Sequence, residues 1–253
     1  MSQNSTQRIT AAVLVIGDEI LSGRTKDVNI GAIADHVLPL GIDLKEVRVV
    51  ADDEQAIVEA VNALRARWTY DFTTGGIGPT HDDITADSIA KAFGVSIDVD
   101  PRAVAIMQPA FEARGIKLTQ ARLRMARIPA GATLIRNSIS SAPGFMLGNV
   151  VVMAGVPSIM RVMLEDATQY LKRGTPLESR TIDVQTPEGE IADAFRAHAA
   201  RHPSVTMGSY PQRTDGRLWT QLVLRSTDGP ALAKAEHELI EILRERGFMP
   251  KPR

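Results

Sequence analysis

Apolar residues follow two patterns along the first two thirds of the chain. Residues 11–16 and 150–153 are uninterrupted apolar runs, which is typical of strands buried on both faces of a parallel sheet. Elsewhere apolar residues recur at three- and four-residue steps, as at Ile30, Ile33 and Val37, and this spacing predicts amphipathic helices. Strands that alternate with helices predict a parallel or mostly parallel sheet with helices on both faces.

The alternation of elements continues to about residue 170. The predicted strands are residues 11–16, 42–49, 68–74 and 150–153. The predicted helices contain residues 30–40, 57–64, 85–93, 101–115 and 158–170, with a short basic helix around Arg122, Arg124 and Arg127. We expect a break or bulge in the second strand between Leu44 and Val47, and a cap formed by Asp52 and Asp53 on the next helix. Residues 128–148 are rich in Gly, Pro, Ser and Asn, which predicts a segment that is mostly loop.

A Gly-Thr-Pro segment between residues 173 and 178 predicts a domain boundary. Beyond it the pattern predicts, in order, a strand, a helix, two strands and a helix at residues 180–184, 188–202, 205–210, 218–226 and 230–247. We expect the last six residues to be frayed. The chain therefore predicts an α/β domain at residues 8–174 and a small α+β domain at residues 178–249.

The segment at residues 72–89 carries the most chemistry, because a short apolar run leads through three glycines to paired aspartates. The glycines are Gly75, Gly76 and Gly78. They allow positive φ and close approach to a ligand, and their amide groups, with those of the following helix, are suited to hold an anion. Asp82 and Asp83 would repel a phosphate unless a divalent cation such as Mg²⁺ lay between them. The segment predicts a metal-assisted phosphate or diphosphate site, and it is not a P-loop because no Gly-Lys-Ser/Thr follows.

The positions of these and other polar residues in the sequence are also compatible with roles other than ligand binding. Asp82 and Asp83 could instead cap the helix that begins near Thr85, where acidic residues contribute roughly 0.3–1 kcal/mol. Asp18 and Glu19 follow the first strand and are consistent with metal coordination, with a base that activates water, or with a solvated acidic turn. Asp27 and Asn29 could bind a ligand or cap the next helix, and the three arginines of the basic helix could form a cationic wall or a solvated face.

Four segments together resemble the molybdopterin-binding domain superfamily. Gly-Gly-x-Gly-Pro-Thr-x-Asp-Asp-x-Thr at residues 75–85 is similar to the signature of that superfamily, and closest to the branch at the N-terminus of CinA (competence/damage-inducible protein A) and of eukaryotic FAD synthase. Residues 16–29, 142–145 and 155–158 resemble further motifs of this branch, so the resemblance spans about residues 10–170. Residues 205–211 also resemble the second domain of the FAD-synthase-like branch.

The resemblance implies a three-layer α/β/α molybdopterin-binding-domain-like fold and assigns roles to particular residues. Asp83 stands at the place associated with metal and phosphate chemistry, which implies that Asp83 is catalytic and that Asp82 and Asp83 bind metal. Asp18 and Glu19, at the end of the first strand, are the other catalytic candidates. The implied ligand-binding residues are Gly75, Gly76, Gly78, Thr80, Ser22, Gly23, Arg24, Asn29, Ser141, Pro143, Gly144, Gly155, Val156 and Pro157. Two positions depart from the family pattern, since Ala154 and Ile159 stand where Pro and Glu are usual.

The composition narrows the classes of partner and compartment. Net charge is −1 and the pI is about 6.5, which gives no electrostatic reason to expect nucleic acid or an anionic membrane as a partner. There is no cysteine, which excludes disulfides and a cysteine nucleophile and fits a cytoplasmic protein. No apolar run reaches the length of a signal peptide or a membrane span. His198 and His202 lie four residues apart, and we interpret them as part of a solvated helix face.

Three functions are compatible with these residues. The first is metal-dependent hydrolysis of a nucleotide diphosphate such as ADP-ribose, FAD or CoA, with Mg²⁺ or another divalent cation as cofactor. The second is molybdopterin binding or adenylylation. The same residues are compatible with it, because hydrolysis and adenylylation both break a phosphoanhydride beside a metal. The third is a non-catalytic ligand-binding module. The resemblance further implies a homo-oligomer, either a dimer or a trimer.

Overall fold

The computed structural model describes residues 8–253. They form two compact units, the second of which begins at Thr175. The first is an α/β unit on a six-stranded sheet, and the second is a smaller α+β unit on a four-stranded sheet. Within residues 8–253, no helix combines the length and the apolar character needed to cross a membrane.

The first unit contains eight strands and seven α-helices within the described residues. The strands are β1 (Ile9–Ile16), β2 (Ile42–Val50), β3 (Tyr70–Thr74), β4 (Ile97–Val99), β5 (Arg127–Pro129), β6 (Thr133–Ile135), β7 (Gly144–Leu147) and β8 (Val150–Met153). The helices are α1 (Asp18–Leu21), α2 (Asn29–Val37), α3 (Glu54–Arg67), α4 (Thr85–Phe93), α5 (Pro101–Ala113), α6 (Gln120–Leu123) and α7 (Pro157–Ala167). Short 3-10 turns follow α2, α6 and α7 at Leu38–Leu40, Arg124–Ala126 and Thr168–Tyr170.

The main sheet has the strand order β2-β1-β3-β8-β7-β6. The first four of these strands are parallel, and β7 and β6 are antiparallel to their neighbours. Alternate residues of β1 enter different cores, because successive side chains of a strand point to opposite faces. Leu14 packs with residues of α3, α4 and α5 on one face, and Val13 packs with residues of α2 and α7 on the other. The predicted three-layer, mostly parallel α/β/α fold is confirmed.

Strand β2 contains the irregularity expected from its sequence. Ala11 pairs with Leu44, whereas Ala12 pairs with Glu46, so Lys45 is an additional residue in β2. A bulge of this kind shifts the pairing by one residue and bends the strand. The predicted break between Leu44 and Val47 is confirmed.

The segment at residues 128–148, predicted to be mostly loop, also carries short strands that the sequence pattern did not predict. It contains most of β5 and all of β6 and β7, and β7 pairs with β8. These strands are only three or four residues long, which is too short for a readable apolar period, and their pairing partners are set by the tertiary fold. Strand β4, which pairs with β5, is also absent from the predicted elements.

The second unit is an antiparallel sheet with two helices. It contains β9 (Glu178–Val184), α8 (Ala192–Arg201), β10 (Thr206–Thr214), β11 (Arg217–Ser226), α9 (Gly229–Glu245) and β12 (Lys251–Pro252), with a 3-10 turn at Glu188–Glu190. The strand order is β10-β11-β9-β12. Leu222 of β11 and Leu239 of α9 are fully buried in its core. This architecture confirms the small C-terminal α+β domain.

Two predictions for the second unit are wrong. The last residues are not frayed, since β12 pairs with β9 and the guanidinium of Arg253 lies 2.6 Å from the carboxylate of Asp183. His198 is not solvated, because it is fully buried and its Nε2 lies 2.9 Å from the carbonyl oxygen of Ala235. Helix α9 covers this histidine, and a helical spacing of four residues carries no information about such a neighbour.

Candidate functional site

The carboxyl ends of β1 and β3 lie side by side in the sheet, and this brings the two predicted loops together. A Cβ on Gly75 would lie 2.1 Å from the carbonyl oxygen of Ile16, so the backbones of the two loops are in direct contact. The amide of Gly75 donates to the carbonyl of Met153 at 3.1 Å, which ties the same point to the end of β8. Ligands of open parallel sheets bind beyond the carboxyl ends of the strands.

Two glycines of the loop that follows β3 lie against side chains at the start of α4. Gly76 has φ of 64°, and a Cβ there would lie 2.1 Å from the hydroxyl oxygen of Thr85. The amide of Thr85 in turn donates to the carbonyl of Gly76 at 3.0 Å. A Cβ on Gly78 would lie 2.6 Å from Oδ2 of Asp83. The glycines therefore allow the loop to wrap closely around the start of α4 and around the carboxylate of Asp83.

Asp83 closes a tight turn rather than capping α4. Its Oδ2 accepts hydrogen bonds from the backbone amide of Thr80 at 2.8 Å and from the hydroxyl of Thr80 at 2.5 Å. Helix α4 begins after Ile84 without a side-chain cap. The capping role considered for Asp82 and Asp83 is therefore wrong. Thr80, a predicted ligand-binding residue, is the partner that fixes the Asp83 carboxylate.

A further carboxylate joins the predicted acidic residues. Asp52 follows β2, and its Oδ2 accepts the backbone N–H of Asp18 at 2.9 Å. Burial raises the pKa of Asp52, the bond from Asp18 lowers it, and the nearby charges of Asp18, Glu19 and Asp82 raise it again. The predicted shared cap on α3 is corrected, because Asp53 alone accepts the amide of Ala56. The sequence analysis did not include Asp52 in the site. Its position just after β2, which lies beside β1 in the sheet, is the feature that places it there.

Five acidic side chains belong to the loops at this edge of the sheet. Within residues 8–253, no Lys or Arg forms an ion pair with any of them; they are Asp18, Glu19, Asp52, Asp82 and Asp83. Asp82 has only the ring of His81, at 3.9 Å. Carboxylate oxygens gathered without a protein cation are suited to a hard divalent cation such as Mg²⁺.

The first-strand loop divides into exposed and buried parts. Ser22, Gly23 and Arg24 are exposed, and none of the three lines the cavity that opens beside the acidic residues. Asp27 accepts the amide of Ile30 at 2.9 Å, so it caps α2. Asn29 is buried, donates to the carbonyl of Gly155 at 2.8 Å, and has an Oδ1 atom without a hydrogen-bond partner in the described part of the chain.

A cavity of about 520 Å³ opens beside the acidic residues. One wall is the loop after β3, and the other is formed by the segments before β7 and after β8. Its lining residues include Glu19, Thr25, Gly75, Gly76, Ile77, Gly78, Pro79, Asp83, Met125, Ser140, Ala142, Ala154, Gly155, Val156, Pro157, Ile159 and Met163. The lining is mostly apolar, and both positions that depart from the family pattern, Ala154 and Ile159, belong to it. The cavity therefore combines an acidic end with an apolar interior.

Three further predicted ligand-binding residues, in the segment at residues 141–144, also lie outside this cavity. Ser141 has φ of 67° and forms a turn with Asn137, whose carbonyl accepts its amide at 3.0 Å. Pro143 lines a smaller neighbouring recess. Gly144 belongs to β7, and a Cβ there would lie 2.4 Å from the carbonyl oxygen of Val152. Close packing on β8 is therefore sufficient reason for glycine at that position.

The three arginines of the basic helix have three different partners. Arg124 donates to the carbonyl of Thr80 from Nε at 3.1 Å and to the carbonyl of Asp83 from Nη2 at 3.2 Å. Arg127 pairs with Asp87 of α4, and Arg122 donates to a nearby carbonyl of its own segment. They form neither a common cationic wall nor a simple solvated face.

Comparison with known protein families identifies both units. A family described as "probable molybdopterin binding domain" matches residues 12–173. The chain belongs to the molybdopterin-binding domain family. Residues 176–252 match a second family, described as the middle domain of FAD synthase. Together these matches confirm the resemblance to the CinA and FAD-synthase-like branch.

Individual relatives support the same placement within the molybdopterin-binding domain family. A protein from Pyrobaculum calidifontis is 30% identical, with 94% of this chain and 97% of that protein covered. A CinA-like protein from Desulfosudis oleivorans is 35% identical over 78% of this chain, which spans about half (51%) of that protein. A crystal structure of CinA from Thermoplasma acidophilum, described as of unknown function, has 32% identity and a TM-score of 0.58, and covers 64% of this chain and 96% of its own.

Proposed function

We propose that the first unit hydrolyses a nucleotide diphosphate of the ADP-ribose, FAD or CoA type with the help of a divalent cation. One observation carries the proposal: the carboxylates of Glu19 and Asp83 line one cavity beside the glycine loop, and the charges of Asp18, Glu19 and Asp82 act on Asp52. A diphosphate is negatively charged and would be repelled by these carboxylates unless a cation bound between them. The match of the second unit to a domain of FAD synthase supports a nucleotide as the ligand.

The residues fit a cation by their chemistry. Asp82 and Asp83 are the proposed metal ligands, and Mg²⁺ is usually held by one or two carboxylates together with substrate phosphates. Asp83 has one oxygen, Oδ2, engaged by Thr80, which leaves Oδ1 for coordination. When bound, such a cation supplies Lewis-acid stabilisation of the charge that develops on the phosphoryl oxygens.

The protein's own groups account for binding and proton transfer. The amides of Gly76 and Gly78 are the proposed phosphate donors, because the amide of Gly75 already donates to the carbonyl of Met153. The apolar cavity wall around Ile159 and Met163 excludes water from the nucleoside part. Water oxygen forms a bond to one phosphorus while the bond from that phosphorus to the bridging oxygen breaks. The bridging oxygen leaves with the second phosphate.

A carboxylate receives the proton that the attacking water loses. Glu19 lines the cavity, whereas Asp18 does not and has its backbone held by Asp52. We therefore assign the general base to Glu19 and a supporting role at the metal to Asp18.

Molybdopterin binding or adenylylation is the second candidate. The family match at residues 12–173 favours it, because that family is described by its pterin ligand. In adenylylation the same edge would hold ATP, and a phosphate oxygen of the pterin rather than water would form the new bond to the α-phosphorus, with diphosphate leaving.

Nucleotide release by the purified protein separates these functions. ADP-ribose, FAD, CoA, NAD and ATP are incubated with Mg²⁺, Mn²⁺ or Co²⁺, or with EDTA, and the products are resolved by chromatography. We expect monophosphate products only with a cation and only from protein that retains Asp83, with Asp83→Ala inactive and Asp35→Asn, an exposed change on α2, fully active. Turnover of none of the five compounds would refute hydrolysis and favour pterin binding.

A further inference from the structure

Among residues 8–253, one side chain from outside the loop that carries Asp83 donates hydrogen bonds to residues 80–83. We propose that Arg124 is the positioning residue of this loop, so that the geometry of the metal site depends on a guanidinium that touches neither metal nor substrate. The inference rests on the proposed function, because it concerns the residue that supports the assigned metal ligand. Arg124 lies more than 40 residues further along the chain than the two residues that it contacts.

The loop itself has few contacts that would fix its position. Thr80, His81 and Asp82 are exposed. The backbone bond across the turn, from the amide of Asp83 to the carbonyl of Thr80, is long at 3.4 Å. The bonds between Thr80 and the Asp83 carboxylate close the turn on itself and do not attach it to the rest of the unit. An exposed turn of this kind opens easily unless another element holds it.

Arg124 supplies that attachment at both ends of the turn. Its Nε donates to the carbonyl of Thr80 at 3.1 Å and its Nη2 donates to the carbonyl of Asp83 at 3.2 Å. The guanidinium is planar and carries its donors at fixed spacing, so one side chain can hold two carbonyl oxygens at once. Lysine has a single nitrogen on a flexible stem and cannot reproduce this geometry. The positive charge also lies beside an acidic loop, which favours the closed arrangement.

The neighbouring arginines provide matched controls. Arg122 is two residues away on the same segment, but its Nη1 donates to the carbonyl of Lys117 at 2.6 Å. Removal of Arg122 deletes an equal charge and an equal side chain without touching the Asp83 loop. A difference between the two variants therefore reports the contacts with the loop and not the general basicity of the segment.

Loss of the attachment should affect the metal site more than the nucleotide cavity. Misplacement of a catalytic group by about 1 Å can lower a rate on the order of a hundredfold. We expect Arg124→Ala to lower kcat roughly tenfold to a hundredfold and to raise the Mn²⁺ concentration at half-maximal activity. KM for ADP-ribose should change less than kcat, because much of the cavity lining belongs to the segments before β7 and after β8. Arg124→Lys should be intermediate, and millimolar guanidinium should partly restore Arg124→Ala.

The experiment combines these kinetics with amide hydrogen exchange, which does not require turnover. We expect faster exchange at residues 80–83 in Arg124→Ala and unchanged exchange there in Arg122→Ala. If wild type hydrolyses nothing while this exchange difference is present, the proposed function fails and the positioning role stands. If wild type is active and Arg124→Ala matches it in kcat, metal dependence and exchange, the positioning role is refuted. The positioning role would also be refuted if exchange in Arg124→Ala were faster throughout the first unit, guanidinium did not restore activity, and Arg124→Lys were no better than Arg124→Ala.

Discussion

A buried aspartate in the central sheet should make the stability of the first unit depend on pH. Asp71 lies in β3, is fully buried, and neither of its carboxylate oxygens has a hydrogen-bond partner among residues 8–253. Burial raises the pKa of Asp71 to about 8, and Arg48 lowers it and Glu46 raises it to smaller extents. In the unfolded chain the same carboxyl has a pKa of about 3.8.

The sign of the effect follows from the proton balance. Between about pH 4 and pH 8 the folded state keeps the proton of Asp71 and the unfolded state releases it, so stability falls as pH rises through this window. Each pH unit corresponds to about 1.36 kcal/mol, so about three units between pH 4 and pH 7 amount to roughly 4 kcal/mol at most. Above about pH 8 both states are ionised and this contribution is constant.

Asp71→Asn removes the ionisable group and keeps the size of the side chain. We expect the variant to unfold at the same urea concentration as wild type near pH 4, and to be more stable by up to roughly 4 kcal/mol at pH 7. Fluorescence of Trp68 reports the first unit when Trp219 of the second unit is replaced by Phe in both proteins. Asp35→Asn, an exposed change on α2, is the control. Parallel stability curves for Asp71→Asn and wild type between pH 4 and pH 8 would refute the reasoning.

Three further predictions follow from the same structure. Gly76→Ala should lower the melting temperature more than Gly94→Ala, because both have φ near 65° but only the first places a methyl group 2.1 Å from a buried hydroxyl; equal shifts would contradict this. Asp52→Asn should keep the acceptor for the Asp18 amide and remove a charge that burial and like charges disfavour, so calorimetry should show weaker Mn²⁺ binding without a lower melting temperature. Burial lowers the pKa of His198, so the second unit should lose stability as pH falls below about 6.5 and His198→Asn should lose less; identical denaturation curves at pH 5 and 7.5 would exclude this.

The sequence was sufficient for those parts of the fold that depend on local patterns. The uninterrupted apolar runs of β1 and β8 predicted buried parallel strands, because neither face of these strands meets water. The helix after the glycine loop was predicted with the bounds that the structure has, since Gly94 ends it in a left-handed conformation. The short strands β6 and β7 were not predicted, because three or four residues carry no period and their pairing depends on distant parts of the chain, with β7 on β8 and β6 on β7.

In the candidate site, too, local sequence patterns identified some residues, whereas contacts between distant parts of the chain could not be predicted. The glycine loop and the acidic residues at Asp18, Glu19, Asp82 and Asp83 could be named from strand ends and spacing. Asp52 could not, because an Asp-Asp pair before a helix is an ordinary cap signal and its contact with Asp18 spans 34 residues. The attachment of the loop to the basic segment likewise depends on chain packing that no local pattern contains.

Hydrolysis of ADP-ribose in ¹⁸O-labelled water tests the central claim most directly. We expect release of AMP and ribose 5-phosphate with one ¹⁸O atom in one of the two products, dependence on Mg²⁺ or Mn²⁺, and loss of the reaction in Asp83→Asn. Asp35→Asn should behave as wild type. Absence of product, product without label, or equal rates in the presence of EDTA would contradict metal-assisted attack of water at this site.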